Sequence, residues 1–226
     1  IHDYSVKFYK KLEKELNTDI GFKVVGNLRM AQTQDRMDEF MLYSSTADTV
    51  NIPYEWKNPK QIKDRWPLVY SEDLKGAIYH PTDGYINPAD LTQAIARSAR
   101  SNDVKIERKT QADSFYWDGN SWHVQCSKMC EKGGNLLVSQ EKVTYVAEHV
   151  VTATGNHVQN TSKLINTKIS AIPVEHQYIV TEEDPKLIEY RKNNDEHPVL
   201  RDADAKWYVR EERGGWILGP YEKNAP

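Results

Sequence analysis

The sequence has little of the chemistry that marks metal-binding, membrane-spanning or nucleic-acid-binding proteins. It contains two cysteines among 226 residues, Cys126 and Cys130, and no second cysteine or histidine pair is spaced to complete a zinc site. No apolar run approaches the roughly 20 residues of a transmembrane helix. The net charge is -3, and the basic residues are dispersed along the chain, which argues against a phosphate backbone as partner. We therefore expect two reduced thiols, no membrane span and no nucleic acid.

The common short signatures of enzymes are also missing. The chain has no Gly-x-Gly-x-x-Gly turn, no Walker loop, no Gly-x-Ser-x-Gly elbow and no His-Glu-x-x-His helix. These residues therefore do not encode a dinucleotide phosphate turn, a P-loop, an α/β-hydrolase nucleophile or a zincin site.

The first hundred residues combine helical patterns with short strands. Apolar residues at helical spacing predict helices over Tyr4–Leu16 and after Thr33, Asn58 and Asn87, which are good capping residues. The residues expected to be buried by the helices after Thr33 and Asn87 are Met37, Phe40, Met41, Leu91, Ala94, Ile95 and Ala99.

After residue 103 the apolar period changes to two, which is typical of strands. The predicted strands are Gly26–Ala31, Gly76–His80, Val104–Arg108, Ser114–Trp117, Trp122–Gln125, Leu136–Val138, His149–Gly155, Pro173–Thr181, Tyr208–Glu212 and Gly219–Glu222. Turns are predicted at Asp118–Asn120 and Gly133–Asn135. Residues 192–197 are predicted as an exposed connection between two strands. This order predicts a mixed α/β (α+β) chain in which an antiparallel sheet is flanked by helices.

One predicted sheet carries an unusual set of polar rings. Its strands bring five residues towards one face or its edges: His176, Tyr178, Tyr208, Arg210 and Tyr221. An imidazole, phenols and a guanidinium suit the floor of a pocket for a polar substrate. The alternatives are a structural histidine and a surface ion pair of Arg210 with Glu211 or Glu212.

The predicted strand His149–Gly155 ends in small residues. Ala153, Thr154 and Gly155 leave the backbone open to close approach by a flat or charged ligand, although packing alone also explains small residues at a strand end.

Three segments resemble the dimethylglycine and sarcosine dehydrogenases, which are FAD-dependent oxidoreductases related to D-amino-acid oxidase. The run Gly76–Leu91 is similar to the Gly-x-x-Tyr-x-Pro-x-Asp-Gly-x-x-x-Pro pattern of that family. Val150–Gly155 is similar to the strand that passes the FAD, and Thr110–Phe115 to a second cofactor segment. The segments are collinear with the family across essentially the whole chain.

The resemblance implies roles for named residues. It implies that the backbone of Ala112 holds the adenine and that four residues lie near the FAD, namely Ala153, Thr154, Gly155 and His157. Many family members have an aromatic residue where His157 stands. It implies catalytic roles for His176 and Tyr208 and a substrate-binding role for Tyr178, Arg210 and Tyr221.

The resemblance also implies a domain plan. Residues 1–103 and 164–226 are expected on the substrate side and residues 104–163 in part of the FAD-binding layer. The Gly-x-Gly-x-x-Gly unit and a C-terminal region that binds tetrahydrofolate are expected outside this chain. The chain alone is then expected to be inactive, to bind FAD poorly, and to form a homodimer through exposed strand edges.

The function implied by the resemblance is oxidation of an N-methyl amino acid, of the dimethylglycine or sarcosine type, by hydride transfer to FAD. The alternative is a non-catalytic scaffold, because a regulatory subunit of pyruvate dehydrogenase phosphatase resembles the same enzymes. Either assignment implies the bacterial cytoplasm or the mitochondrial matrix.

Overall fold

The computed structural model describes residues 2–223, and the chain forms two compact units. One unit combines the chain up to Ser101 with the chain from His176 onward, and the other is Asn102–Glu175. The predicted mixed α/β fold is confirmed, since both units combine helices with sheets. Within the described residues no helix has the length and apolarity that a membrane crossing requires.

The first unit contains most of the helices and one large sheet. Its helices are α1 (His2–Leu16), α2 (Gln34–Thr49), α3 (Pro59–Arg65), α4 (Pro88–Ser101) and, after the second unit, α6 (Pro185–Arg191). Its strands are β1 (Asn27–Ala31), β2 (Glu55–Lys57), β3 (Gly76–His80), β7 (Ile179–Val180), β8 (Val199–Asp202), β9 (Trp207–Glu212) and β10 (Gly215–Pro220).

The large sheet has seven strands in the order β2-β3-β1-β8-β9-β10-β7. Strands β1 and β8 pair in parallel, and the other neighbours pair antiparallel. The parallel pair joins the N-terminal half of the unit to the half that follows the second unit.

The two faces of this sheet differ in character. One face is apolar, and its Leu28, Met30 and Leu200 pack with Ile62 of α3 and with Trp66. We call this face the core face. We call the other face the polar face, and α2 covers the part of it that β1 and β3 form. There Ala31 and Ile78 of the sheet pack with Phe40 of α2, and Met37 and Tyr54 pack alongside.

Local capping signals predict the starts of two helices correctly. The Thr33 hydroxyl accepts from the backbone N–H of Arg36, and Asn58 forms a reciprocal capping box with Gln61. Two of the predicted core residues are wrong, because Met41 and Ile95 lie on the solvent side of their helices and are 49% and 42% exposed.

The second unit is an antiparallel meander with a helical tail. It contains β4 (Thr110–Trp117), β5 (Trp122–Lys132), β6 (Asn135–Ala147), a 3-10 helix (Gly155–His157) and α5 (Val158–Leu164). The two turns predicted from glycine join β4 to β5 and β5 to β6, as expected.

Four strand predictions are wrong in whole or in part. Only Gly219 and Pro220 of the segment predicted over 219–222 belong to a strand, β10. Residues 104–108 and 149–154 have no strand assignment, and Val151 is 88% exposed. An apolar run becomes a strand only where a neighbour completes its hydrogen bonds, and within the described residues the meander does not pair with either run. The homodimer expected from their edges stays a prediction.

The predicted strand over 173–181 is reduced to Ile179–Val180. These two residues pair with Leu218 and Ile217 of β10. Farther along β10 the next positions are Gly219 and Pro220, and proline has no backbone N–H to donate to a neighbouring strand. His176 therefore lies outside the ladder, and the expectation that His176 and Tyr178 share one strand face is wrong.

Candidate functional site

Three of the predicted residues form one aromatic cluster. The His176 imidazole stacks on the Tyr221 ring with centroids 4.9 Å apart, and each of these rings lies 5.8 Å from the ring of Tyr208. We call these residues the aromatic cluster. Tyr208 comes from β9, Tyr221 follows β10, and His176 lies three residues before β7.

A glycine gives Tyr208 its position. Gly219 of β10 is directly opposite Tyr208 in the antiparallel ladder. The Tyr208 ring occupies the place where a Cβ on residue 219 would stand. The Tyr208 ring therefore lies flat across β10, towards the loop that carries His176 and Tyr221.

Tyr178 and Arg210 lie together in a different place. Both line a pocket of about 910 Å³, whose walls also include Tyr85, Glu196 and Glu212. The Arg210 guanidinium sits 4.3 Å from the centroid of the Tyr85 ring, and its Nη1 donates to Glu212 Oε2 at 2.7 Å. The ion pair that the sequence left open as an alternative for Arg210 is therefore present.

A tyrosine–glutamate pair closes one side of this pocket. The Tyr85 hydroxyl donates to Glu196 Oε1 at 2.5 Å, and Lys23 Nζ lies 3.4 Å from Glu196 Oε2. Burial, followed by the hydrogen bond to Glu196, raises the pKa of Tyr85 above its ordinary value. Tyr85 thus stays a neutral donor, and its ring face supports Arg210.

The pair of Tyr85 and Glu196 is not expected from the sequence. Residues 192–197 are predicted as an exposed connection, yet His197 is fully buried and Glu196 is half-buried. The 111 residues that separate Tyr85 from Glu196 leave no local signal of the contact.

A buried hydrogen-bonded contact between Glu211 and His197 holds the strand that carries Arg210. The next residue, Glu211, accepts from the His197 backbone N–H at 2.7 Å and contacts His197 Nδ1 at 2.5 Å. The Tyr190 ring stacks on His197 at 4.1 Å, and Arg191 Nε lies 3.3 Å from the second Glu211 oxygen. These contacts fix the end of β9 against α6.

Two arginines on the polar face were not singled out by the sequence. Arg29 of β1 is the register partner of Arg201 of β8, and Arg201 is the register partner of Tyr208. The Arg201 guanidinium carbon lies 5.8 Å from the Tyr208 ring centroid. These arginines could have been found only from the pairing of β1 with β8, which are far apart in sequence, and hydrophobic periodicity does not reveal that pairing.

The predicted cofactor residues all belong to the second unit. Ala112 lies in β4 beside a bulge, Ala153 and Thr154 lie in the irregular segment before the 3-10 helix, and Gly155 and His157 bound that helix. Thr154 Oγ1 lies 2.7 Å from Oγ1 of the buried Thr161. Of the five predicted cofactor residues, Ala112 is half-buried and the other four are exposed. The prediction that they contact FAD stays a prediction.

The chemistry available at these sites is proton transfer, ion pairing and hydrogen bonding. Among residues 2–223 no group of three or more metal-ligating side chains converges on one point. The aromatic cluster offers an imidazole and two phenols, which donate, accept and move protons. The polar face offers guanidinium groups, which match carboxylates.

The chain is similar throughout its length to flavoproteins. Residues 1–226 match the family described as DAO, FAD dependent oxidoreductase. The chain is 32% identical over 225 residues to the mitochondrial dimethylglycine dehydrogenase of Rattus norvegicus, a match that covers 98% of this chain and 24% of that protein.

A second relative is a regulatory subunit. The mitochondrial pyruvate dehydrogenase phosphatase regulatory subunit of Mus musculus is 31% identical over 225 residues, covering 98% of this chain and 24% of that protein. The chain therefore spans about a quarter of the length of the curated relatives it matches.

Solved structures support the fold. The crystal structure of L-proline dehydrogenase from P. horikoshii matches with a TM-score of 0.76 and 21% identity, covering 99% of this chain and 55% of that chain.

Proposed function

We propose, because this chain belongs to the DAO family of FAD-dependent oxidoreductases, that its protein oxidises an N-methyl amino acid by hydride transfer to FAD. Dimethylglycine and sarcosine are the proposed substrates. The 32% identity to a dimethylglycine dehydrogenase supports this choice of substrate class.

The observation that carries the proposal is the aromatic cluster. A secondary or tertiary methylamine is protonated at neutral pH, and it must lose that proton before a hydride leaves its methyl group. His176 is the group proposed to accept the proton, since a neutral imidazole has a ring nitrogen that accepts one. Tyr208, with its centroid 5.8 Å from His176, is proposed to hold the neutral amine through its hydroxyl.

The second unit has a segment suited to a flat cofactor. Gly155 has φ +54°, a conformation that favours glycine, and the space where its Cβ would stand is empty to 4 Å. We propose that Ala112, Ala153, Thr154, Gly155 and His157 contribute to holding FAD, which when bound supplies the hydride acceptor. Tetrahydrofolate is a proposed acceptor of the one-carbon unit in a region outside this chain.

A second candidate function is a non-catalytic scaffold. The 31% identity to a phosphatase regulatory subunit favours it, because that relative matches over the same 98% of the chain. The two candidates differ in one measurable property, the reduction of a bound flavin by an amine.

The test is anaerobic addition of dimethylglycine or sarcosine to a protein that carries this chain and binds FAD. Bleaching of the oxidised flavin absorbance is expected from the enzyme and not from the scaffold. His176→Gln and Tyr208→Phe are each expected to slow bleaching by roughly 100-fold. Tyr70→Phe, which alters a phenol that is 67% exposed, is the matched control and should leave the rate unchanged.

Either of two results would contradict the proposal. One is a protein that lacks flavin, and the other is a bound flavin that neither amine reduces. A preliminary titration of the 226-residue chain with FAD, followed by flavin fluorescence, tests the expectation that this chain alone binds the cofactor poorly.

A further inference from the structure

We propose that Arg29 and Arg201 form a carboxylate-binding pair that anchors the acid group of the amino-acid substrate beside Tyr208. This inference rests on the proposed function and adds the residues that select for an acidic substrate. It starts from a row of side chains that crosses the polar face of the sheet.

The register of the strands places the two arginines side by side. Arg29, Arg201, Tyr208 and Gly219 are successive Cα partners on β1, β8, β9 and β10. Residues that are partners in register project from the same face, and neighbouring strands lie about 4.8 Å apart. The row therefore runs from two guanidinium groups directly to the aromatic cluster.

Aromatic rings orient both guanidinium groups. The Arg29 guanidinium carbon lies 5.8 Å from the Tyr43 ring centroid, and the Arg201 carbon lies at the same distance from the Tyr208 ring. Tyr43 belongs to α2, which covers β1 and β3, so Arg29 stands where the covered part of the polar face gives way to the open part.

Neither arginine has an anionic partner within the part of the chain that the structure describes. No carboxylate lies within 4.0 Å of either guanidinium there, and the Arg29 Nε is buried without a hydrogen-bond acceptor. Two cations on adjacent strands repel each other, and a buried donor without a partner costs free energy. An anion bound between the two groups removes both penalties.

The acidic residues nearest in sequence are already engaged. Asp202 accepts from the Gln32 side chain at 2.8 Å and from two backbone N–H groups of the turn after β8. Asp204 accepts from Arg36 Nε at 3.0 Å and from the Gln32 backbone N–H at 3.0 Å. Because Asp202 and Asp204 are engaged in these contacts, they do not neutralise Arg29 or Arg201, and a bound anion can do so.

The buried histidine next to this pair is kept neutral. Burial, and to a smaller extent the charge of Arg29, lowers the pKa of His80 below its ordinary value, although the hydrogen bond that His80 Nδ1 donates to the Pro53 carbonyl opposes this shift. His80 and Asn27 are register partners on β3 and β1, and each has a buried polar atom without a partner, His80 Nε2 and Asn27 Oδ1. Of His80, Arg29 and Arg201, the two arginines therefore carry the positive charge at this point of the polar face.

The arginine predicted from the sequence is less suitable for this role. Arg210 donates from one terminal nitrogen to both Glu212 and the Glu211 carbonyl, and its face is covered by Tyr85. An already neutralised guanidinium attracts a further anion only weakly. The planar donor forks of Arg201 and Arg29 are free to bind a carboxylate with two parallel hydrogen bonds.

The test is a titration of the 226-residue chain with dimethylglycine, followed through the arginine Nε–Hε resonances by NMR. We expect shifts at Arg29 and Arg201 that saturate, and that sodium acetate reverses by competition. Dimethylglycinamide, which lacks the negative charge, should leave both resonances unchanged.

Substitutions of the two arginines provide a second test. Arg201→Gln and Arg29→Gln should each weaken carboxylate binding by about tenfold, the loss expected for a charged hydrogen bond. Arg201→Lys keeps the charge without the fork and should give an intermediate affinity. Arg97→Gln, an exposed arginine of α4, is the matched control and should bind as the wild type does.

Three results would overturn the inference. They are equal shifts with the amide, unchanged affinity in folded Arg201→Gln and Arg29→Gln chains, and no carboxylate-dependent shift in the folded wild-type chain. The measurement needs no flavin, so failure of the carboxylate site can be distinguished from failure of the proposed function. Carboxylate binding without flavin reduction would reject the proposed enzyme activity and support the carboxylate site. Flavin reduction at the same rate in the wild type and in both glutamine variants would support the enzyme activity and reject the carboxylate site.

Discussion

Gly219 faces Tyr208 across the β9–β10 ladder, and the Tyr208 ring fills the space that any side chain at position 219 would need. This relationship couples the identity of a strand glycine to the position of a proposed catalytic phenol. The backbone of Gly219 is in an ordinary region, so the requirement for glycine is one of space.

Gly219→Ala is therefore expected to displace the Tyr208 ring and to lower the free energy of unfolding by about 2 kcal/mol, a typical cost of overpacking. Urea denaturation measures the change. In the double variant Gly219→Ala/Tyr208→Ala the added methyl group has nothing to displace, so its cost should nearly vanish. If the two changes were simply additive, the ring would not be the obstacle.

Glu211→Ala is expected to lower the free energy of unfolding by about 3 kcal/mol, because it leaves buried donors of His197 without an acceptor. Chemical denaturation checks the value. Glu189→Ala removes a carboxylate that is 70% exposed and paired with Lys192, and this control should change stability by no more than about 0.5 kcal/mol. Equal losses of stability in the two variants would show that burying the contact between Glu211 and His197 adds nothing to the free energy of unfolding.

Asn58→Ala removes the side-chain acceptor of the capping box at the start of α3 and should cost about 1 kcal/mol. The thermal midpoint of the variant is compared with that of Lys60→Ala, an exposed position in the first turn of the same helix. A midpoint for Asn58→Ala equal to that of the control would mean that packing of Ile62 alone fixes this helix.

Asp118 in the β4–β5 turn gives a pH-dependent prediction. Hydrogen bonds from the Ser121 backbone, from His123 and from the Asn120 backbone lower its pKa from 3.8 to about 2. Because the folded pKa is below the unfolded value, the carboxylate stabilises the turn above pH 3.8, and this contribution is lost as the pH falls through about 2.

Carbon-detected NMR of the Asp118 carboxyl group should therefore give a midpoint near 2. The difference in thermal midpoint between the wild type and Asp118→Asn should be present at neutral pH and disappear in strong acid. A carboxyl midpoint near 3.8 would rule out the hydrogen bonds as the cause.

Local chemistry predicted the parts of the fold that depend on neighbours in sequence. The caps at Thr33 and Asn58 and the glycine turns of the meander need only a few adjacent residues to form. Strand predictions failed where the run was apolar but lacked a partner, as at Val151, since a strand depends on residues that the run does not contain.

The candidate site was predicted only in part for the same reason. Resemblance to a family singled out His176, Tyr208 and Tyr221, and these three rings do lie together. Arg201 and Arg29 were missed, because their proximity follows from the parallel pairing of β1 with β8. No pattern within either strand indicates that pairing.

The interruption of the first unit by the second has a consequence for the order of folding. Contacts such as that between Gln32 and Asp204 span 172 residues, so the large sheet has a high contact order. The meander of the second unit uses short hairpins and closes its loops early. During synthesis on a ribosome, β1 and α2 emerge long before β8. Until β8 is made, the edge of β1 that pairs with it has no partner strand. Neither the arginine pair nor the aromatic cluster can therefore form before β8 and β9 have been synthesised.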